Sequence, residues 1–450
     1  MEKFDLIVVG AGTGGCMAAK TASEAGLKVC LIDRKEKGSI GDKVCGDAIG
    51  KHHFDNLGLA YPKGEELQQD MLGVKIYSPD LKTVFLVGEG LTGFIINRHH
   101  FGQRLLKDAI DSGAVLFDST HVSEPIIKNG FVKGALAGNL KTGSKTELRS
   151  KVTIDASGFS AVIRSKLPPE IGIDQTISKE DHVICYREIR ELKEDIEEPK
   201  FFKMYLNQKV SPGGYYWIIP EGDTRVNVGL GVSAVENLPN PKSRLYEYVL
   251  SSPLFENSMV THGGGGYVPV RKPLDSHVGN GIAVVGDAAC QVNPISGGGI
   301  GPSMMGGKIA GDVITEALEK GEPNQESLWP INVRYMKTYG AKYASLNVFR
   351  IFLQGLTNED LNYGMRYRLI KEEDLLKAAL GEDVHINVTD ATQRIFKGLG
   401  RLSFLRRLYN MAKISKRVKK LYREYPDSPK KMPEWKAKVQ ESFKEAKKYL

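Results

Sequence analysis

Apolar residues recur along this chain in two rhythms. Phe4–Val9, Lys28–Ile32 and Gly281–Ala289 are short runs that are apolar at nearly every position. That is the pattern of strands buried on both faces of a parallel sheet. Small-residue stretches that read as helix, Met17–Ala25 and Ser303–Ile314, follow the first and the last of these runs. Val152–Gly158, with Ser160 and Arg164 beyond it, has the same strand-then-turn shape. Between about 165 and 275 the helical rhythm fades. Val183–Ile189, Lys200–Leu206, Tyr215–Ile219 and Arg225–Val232 read as antiparallel strands, with turn chemistry at Glu221-Gly-Asp223. The short strands Val74–Tyr77 and Thr83–Val87 are expected to join them. No internal repeat or low-complexity linker interrupts the pattern.

Chemistry enters at the turns. Gly10, Gly12 and Gly15 follow the first strand at G-x-G-x-x-G spacing, and Asp33 ends the second strand. Gly10 suits a tight turn, Gly12 lets backbone approach a pyrophosphate, and Gly15 permits close helix–sheet packing. The following helix offers free N–H groups to phosphate, and Asp33 can accept ribose hydroxyls. An acid there argues against a 2′-phosphate, so the turn predicts an adenine dinucleotide other than NADP.

Downstream, Gly286-Asp287 can bind a sugar alcohol such as a ribityl chain, and the run Asn293–Gly301 leads into a helix. Bare N–H groups and a positive helix end suit a ring that carries negative charge, as a reduced flavin does near N1 and O2. These three blocks, at these separations, resemble the FAD-dependent oxidoreductases of the p-hydroxybenzoate hydroxylase group, which implies FAD. The expected fold is α/β: a discontinuous Rossmann-like FAD-binding domain with an inserted antiparallel-sheet substrate domain and a helical C-terminal region. The FAD domain is expected from 1–70, 93–165 and 270–325, the sheet from 71–92 and 166–269, and the basic helical region from 326–450.

Composition narrows the picture. The chain has 450 residues, 41% of them hydrophobic and 26% charged, as expected of a soluble globular protein with two or three cores. Five widely spaced cysteines without C-x-x-C predict a reducing cytoplasm and no disulfide framework or zinc site. The nine histidines include two adjacent pairs but no metal-ligand spacing. No apolar run is long enough to span a bilayer, and no secretory or prenylation signal is seen. Charge is uneven: Arg394–Leu450 carries a net of +13 against +8 for the whole chain, leaving residues 1–393 at −5. Arg401–Ile414 reads as a basic amphipathic helix, with Lys413, Lys416, Arg417, Lys419 and Lys420 in or just beyond it. Two readings stay open, a solvated outer face and a surface that meets anionic membrane or a phosphorylated substrate. No nucleic-acid module accompanies the charge.

Three further segments are more specific. Lys43-Val-Cys-Gly-Asp47 falls where a loop can pass a flavin, and Pro212-Gly-Gly-Tyr-Tyr-Trp-Ile-Ile-Pro220 resembles the P-x-x-Y-x-W-x-F-P motif of the geranylgeranyl reductases. Ile96-Asn-Arg98, with Phe101 and Leu105, resembles the segment that supplies their FAD-contacting arginine. With the Lys-rich tail and Tyr363-Gly-Met-Arg366, nearly the whole chain resembles an archaeal geranylgeranyl reductase. Ile219 departs from the motif's Phe, which bears on chain-length or shape preference. The resemblance implies FAD contacts at Gly14, Asp33, Cys45, Gly46, Ala48, Arg98, Asp287, Gly299 and Ile300, and at Val122 after the strand at 115–117. It implies reduction of geranylgeranyl chains on archaeal membrane phospholipids, and of geranylgeranyl diphosphate. The electron donor is left open among ferredoxin, a reduced deazaflavin and NADPH; His262–Gly266 lacks the strand–helix context of a second dinucleotide turn. The protein is expected in the cytoplasm or peripheral to the inner face of the cell membrane.

Hydride from reduced flavin would go to one alkene carbon and a proton to the other, and the catalytic candidates are Cys45, Tyr215 and Trp217. Tyr215 and Trp217 alternate along a strand, so both face one side. Their rings can line an apolar tunnel and stabilise developing positive charge by roughly 0.5 to 2 kcal/mol each; ordinary sheet core is the competing reading. Cys45 is a gate or proton source, or else a small buried apolar side chain. Tyr215-x-Trp217-x-Ile219-Pro220 also resembles the W-x-W-x-I-P of flavin-dependent halogenases. A monooxygenase or halogenase is therefore one alternative, and a non-catalytic, membrane-docking electron-transfer flavoprotein is another.

Overall fold

A computed structural model describes residues 3–88, 90–235, 239–373, 375 and 401–449. Its first sheet is built on the apolar runs. Lys3–Val9 lies between Val29–Ile32 and Lys145–Asp155, parallel to both, with Val115–Phe117 beyond one and Ile282–Val284 beyond the other. Alternate side chains of the central strand enter two cores. Leu6 and Val8 pack under helices, whereas Ile7 and Val9 join Cys30, Ile32 and Val122 on the opposite face. That is the period of two expected of a strand covered on both sides.

The helices Thr13–Glu24 and Ile300–Lys320 pack closely over this sheet. A Cβ at Gly307 would sit 2.0 Å from the Gly14 carbonyl oxygen, and one at Gly14 2.9 Å from that of Ser303. Both helices begin earlier than their apolar rhythm predicts, because their first turns are glycine-rich and carry no periodicity. The run Gly281–Ala289 is strand only over Ile282–Val284 and then turns as a 3₁₀ segment, Gly286–Ala289. An antiparallel hairpin, Thr120–Lys128 with Phe131–Asn139, extends the sheet from Lys145–Asp155 and was not anticipated.

The second sheet has the order Met259–Pro269, His182–Glu191, Arg225–Ser233, Tyr216–Pro220, Phe201–Tyr205, Gly73–Tyr77 and Val84–Val87. The two early strands join it as expected, but Gly73–Tyr77 runs parallel to Phe201–Tyr205. His262–Gly266 is part of the edge strand. Its glycines open a backbone surface: a Cβ at Gly264 would come within 2.7 Å of the Val44 side chain. A third sheet has the order Ala48–Gly50, Gly93–Ile96 and Leu67–Met71. After residue 326 the described chain is helical, including Ala341–Gln354, Asn358–Arg366, Leu402–Arg423 and Met432–Lys447. Residues 376–400, including Arg394 and Lys397 of the basic tail, lie outside the described residues.

Candidate active site

The glycine turn is forced by sterics. Gly10 has φ +106°, and a Cβ there would stand 2.4 Å from the Ala156 carbonyl; one at Gly15 would stand 1.9 Å from that of Gly10. Gly12 differs: it caps the helix without a side-chain hydrogen bond and has nothing within 4 Å of where a Cβ would project. The space beside this end of the helix is open. Asp33 accepts from the Ala11 N–H at 2.8 Å and the Lys35 N–H at 2.9 Å, which holds its carboxylate at the turn. The third block is structural. Asp155, fully buried, accepts from Ser157, Ile163 and Arg164 N–H groups and so closes its own turn.

The downstream elements come to the same place. Gly299 caps Ile300–Lys320, also without a side-chain bond, and its missing Cβ points toward Asp287 Oδ1. Lys43 Nζ reaches Asp287 Oδ2 at 2.9 Å, and Asp287 draws the Lys43 pKa up. The segment Lys43–Asp47 thus lies across the entrance to the helix. Arg98 begins the helix Arg98–Asp111 and is 9% exposed, yet its Nε and Nη1 have no partner among the described residues. An unsatisfied buried guanidinium is costly unless a ligand completes it. Together with two uncapped helix ends and the open face at Gly12, it fits an anionic dinucleotide. Val122 stands apart: it is a buried core residue of Thr120–Lys128, two positions beyond Thr120, whose N–H donates to the Asp33 carbonyl.

The second sheet supplies an apolar wall. Tyr215, Trp217, Cys185, Met204 and Leu206 line a cavity that also touches Ile295 and Gly297, with about 800 Å³ of empty space, part of it open to solvent. Its enclosed part is only about 110 Å³, below the usual range of small-molecule clefts, ~300–1,000 Å³, so a prenyl chain must also occupy the open part. Tyr215 and Trp217 face the same cavity with ring centroids 5.9 Å apart. Tyr215 Oη donates to the Ser296 carbonyl at 2.5 Å, joining the wall to the glycine loop, and burial holds its phenol protonated. Gly229 leaves room for the Trp217 ring: a Cβ there would lie 2.6 Å from Trp217 Cζ2. Ile219 is 1% exposed, and its Cδ1 lies 3.2 Å from where a Gly46 Cβ would be.

Several residues in this network were not singled out from the sequence. Asn227 is fully buried: its Oδ1 accepts from Trp217 Nε1 at 3.0 Å, and its Nδ2 donates to the Cys45 carbonyl at 2.9 Å. Arg187 Nε donates to the same carbonyl at 3.2 Å while its Nη1 lies 2.7 Å from His262 Nδ1. The available signal was a polar residue inside an otherwise apolar strand, Arg225–Ser233. Cys45 is half-buried, and burial, reinforced by Asp47, pushes its thiol pKa up. Gly46 and Ala48 continue that loop into Ala48–Gly50. Arg350 lines the far end of the cavity but is engaged by Asp181, Asn347, Gln354 and the Glu180 carbonyl.

Comparison with known proteins agrees with this geometry. An FAD dependent oxidoreductase family matches residues 5–209, and the geranylgeranyl reductase catalytic domain matches residues 181–268. FAD is the cofactor. A geranylgeranyl bacteriochlorophyll reductase-like protein of Thermoplasma acidophilum shares the fold, with a TM-score of 0.76 and 23% identity over 91% of this chain and 100% of its own. A myxobacterial chondrochloren halogenase also shares it, at TM-score 0.63 and 19% identity over 89% of this chain and 91% of its own. The digeranylgeranylglycerophospholipid reductase of Sulfolobus acidocaldarius is 43% identical over 450 residues, 100% of this chain and 99% of that protein. This chain belongs to the digeranylgeranylglycerophospholipid reductase family.

Proposed function

We propose that this protein saturates double bonds of geranylgeranyl chains on archaeal-type glycerophospholipids, with geranylgeranyl diphosphate as a second substrate. The observation that carries this reading is the apolar cavity whose Tyr215–Trp217 wall is tied to the glycine loop through Ser296. When bound, FAD supplies the hydride. Gly12, Asp33, Arg98, Asp287 and Gly299 hold it, with Gly10, Gly14 and Gly15 shaping the turn and Cys45, Gly46, Ala48 and Ile300 bordering it; Val122 supports the Asp33 edge from behind. The aromatic wall excludes water and orients the alkene. Both rings line the cavity, where an aromatic face beside carbon that develops positive charge contributes roughly 0.5 to 2 kcal/mol. Cys45, its thiol kept protonated at neutral pH, holds a proton beside that wall.

Residues 71–92 and 166–269 form the substrate unit in this reading, 1–70, 93–165 and 270–325 the cofactor unit, and 326–450 a basic helical region. No helix among the described residues is long and apolar enough to cross a membrane. The apolar side of Leu402–Arg423 is buried through Phe404, Leu408, Met411, Ile414 and Val418. Its exposed face, with Arg406, Lys413, Lys416 and Lys420 and the apolar Leu402 and Tyr409, is available to anionic headgroups. The reductant that reloads the cofactor is ferredoxin, a deazaflavin or NADPH. The test is anaerobic incubation of the holoenzyme with dithionite and a geranylgeranylated glycerophospholipid, followed by mass spectrometry. Mass gains in steps of two hydrogens support the reading; an added oxygen or halogen, or no change, contradicts it.

A further inference from the structure

Directly behind the Cys45 loop is a carboxyl group that the sequence motif does not explain. Asp47 is 6% exposed and adopts φ +60°, a conformation that non-glycine residues seldom hold. Its carbonyl accepts from the Ile96 N–H at 2.9 Å, anchoring the backbone to the third sheet. Its Oδ2 has one weak donor, Asn227 Nδ2 at 3.3 Å, and its Oδ1 is buried with no donor among the described residues. Cys45 precedes Asp47 by two residues in the same loop, and the thiol is near enough to help hold the carboxyl's pKa down. On the far side the Cys45 loop meets the aromatic wall: Gly46 packs on Ile219, and Asn227 bonds both the Cys45 carbonyl and the Trp217 indole.

We propose that Asp47 is the proton reservoir of the site: a buried carboxylic acid that resupplies the Cys45 thiol after it has given its proton to the alkene. The proposal rests on the reductase reading and adds the group that makes repeated turnover possible. Saturating one double bond adds one hydride, from the reduced flavin, and one proton. The Cys45 S–H bond breaks as the new C–H bond forms. The Asp47 O–H bond then breaks as S–H re-forms, and the carboxylate regains a proton from water between turnovers. Because Asp47 acts through Cys45, it is a positioning residue.

The surrounding charges support a group that changes protonation within the working range. Burial raises the Asp47 pKa to about 7 against the pull of Arg98 and Arg187, with Glu221 adding to the rise. Asn227 is neutral and fixes the orientation of the carboxyl by also holding the Cys45 carbonyl. An acid poised near neutrality is what proton donation requires. The empty Oδ1 position is where such a proton can reside without displacing another donor.

The test reads the thiol itself. Oxidised holoenzyme is treated with N-ethylmaleimide from about pH 5 to about pH 9, spanning the ordinary thiol and raised carboxyl ranges, and Cys45 modification is quantified by peptide mass spectrometry. In the wild type the rate should rise with pH, flatten near pH 7 as Asp47 ionises and opposes the thiolate, and then rise again. In Asp47→Asn the flattening should vanish, with Cys45 reacting about tenfold faster at alkaline pH, one unit of thiol pKa. Lipid saturation by Asp47→Asn should fall at least about tenfold and lose its decline above neutrality. Superimposable Cys45 profiles in wild type and variant overturn the proposal. If the variant does not fold, a wild-type profile without a break near neutrality overturns it alone. A break at Cys45 in a protein that saturates no lipid would instead count against the reductase reading.

Discussion

His277 shows what the interior demands of one side chain. Its ring is 0% exposed, lies edge-on to Tyr335 at 5.1 Å and has no partner at either nitrogen among the described residues. Burial, opposed by Asp275 and aided by Lys272, drives its pKa down to about 3. The unfolded imidazole takes up a proton below about pH 6.5, whereas the folded one stays neutral. Stability is therefore lost as pH falls from about 6.5 toward 3, by up to about 1.4 kcal/mol per unit. His52, lowered to about 4 by burial, acts in the same direction. His277→Phe should flatten the slope of stability against pH in chemical denaturation; an unchanged slope contradicts the assignment. Legibility at single positions followed locality. Gly10, Gly12, Gly15 and Asp33 were readable because one turn brings them together. The contacts of Asn227 and the Lys43–Asp287 pairing were not, since each joins segments about 180 to 240 residues apart and no local pattern names the partner.

The paired helices Thr13–Glu24 and Ile300–Lys320 give a sharper contrast, because their glycines do different work. Gly307 is needed for the close approach, so Gly307→Ala must push the helices apart. It should destabilise the protein by about 1–3 kcal/mol and loosen FAD with it. Gly12 faces open space, so Gly12→Ala should leave the apoprotein within about 0.5 kcal/mol of wild type yet weaken FAD retention. Urea midpoints and flavin content after gel filtration separate the two; a large loss of apoprotein stability in Gly12→Ala would refute the distinction. Most strands were legible from period and β-branched composition. Helix starts were not, because Gly-rich first turns hide the 3.6-residue rhythm. The parallel pairing of Gly73–Tyr77 with Phe201–Tyr205 was equally hidden, since an apolar run does not encode its partner's direction.

Across the whole molecule, the basic tail and the acidic remainder are placed by the fold. Most apolar residues of Leu402–Arg423 pack inward and only Leu402 and Tyr409 stay exposed, so membrane affinity should be mainly electrostatic, without deep insertion. Sedimentation with phosphatidylglycerol vesicles should fall as salt rises, and Lys413→Glu with Lys416→Glu should weaken it severalfold at low salt. Salt-independent binding would indicate insertion and contradict the packing. Fold class and cofactor were accessible from sequence because the dinucleotide turn is a local device; the surroundings of Cys45 and Asp47 were not, because Asn227 and Ile96 reach them from two different sheets. The central claim concerns electrons reaching a prenyl chain, and single-turnover reduction tests it most directly. Stoichiometrically reduced holoenzyme is mixed without oxygen with a geranylgeranylated phospholipid, while flavin absorbance and lipid mass are followed together. The account predicts that oxidised flavin returns in step with one double bond saturated per flavin. A flavin that stays reduced in the presence of the lipid, and reoxidises only when air is admitted, would contradict it.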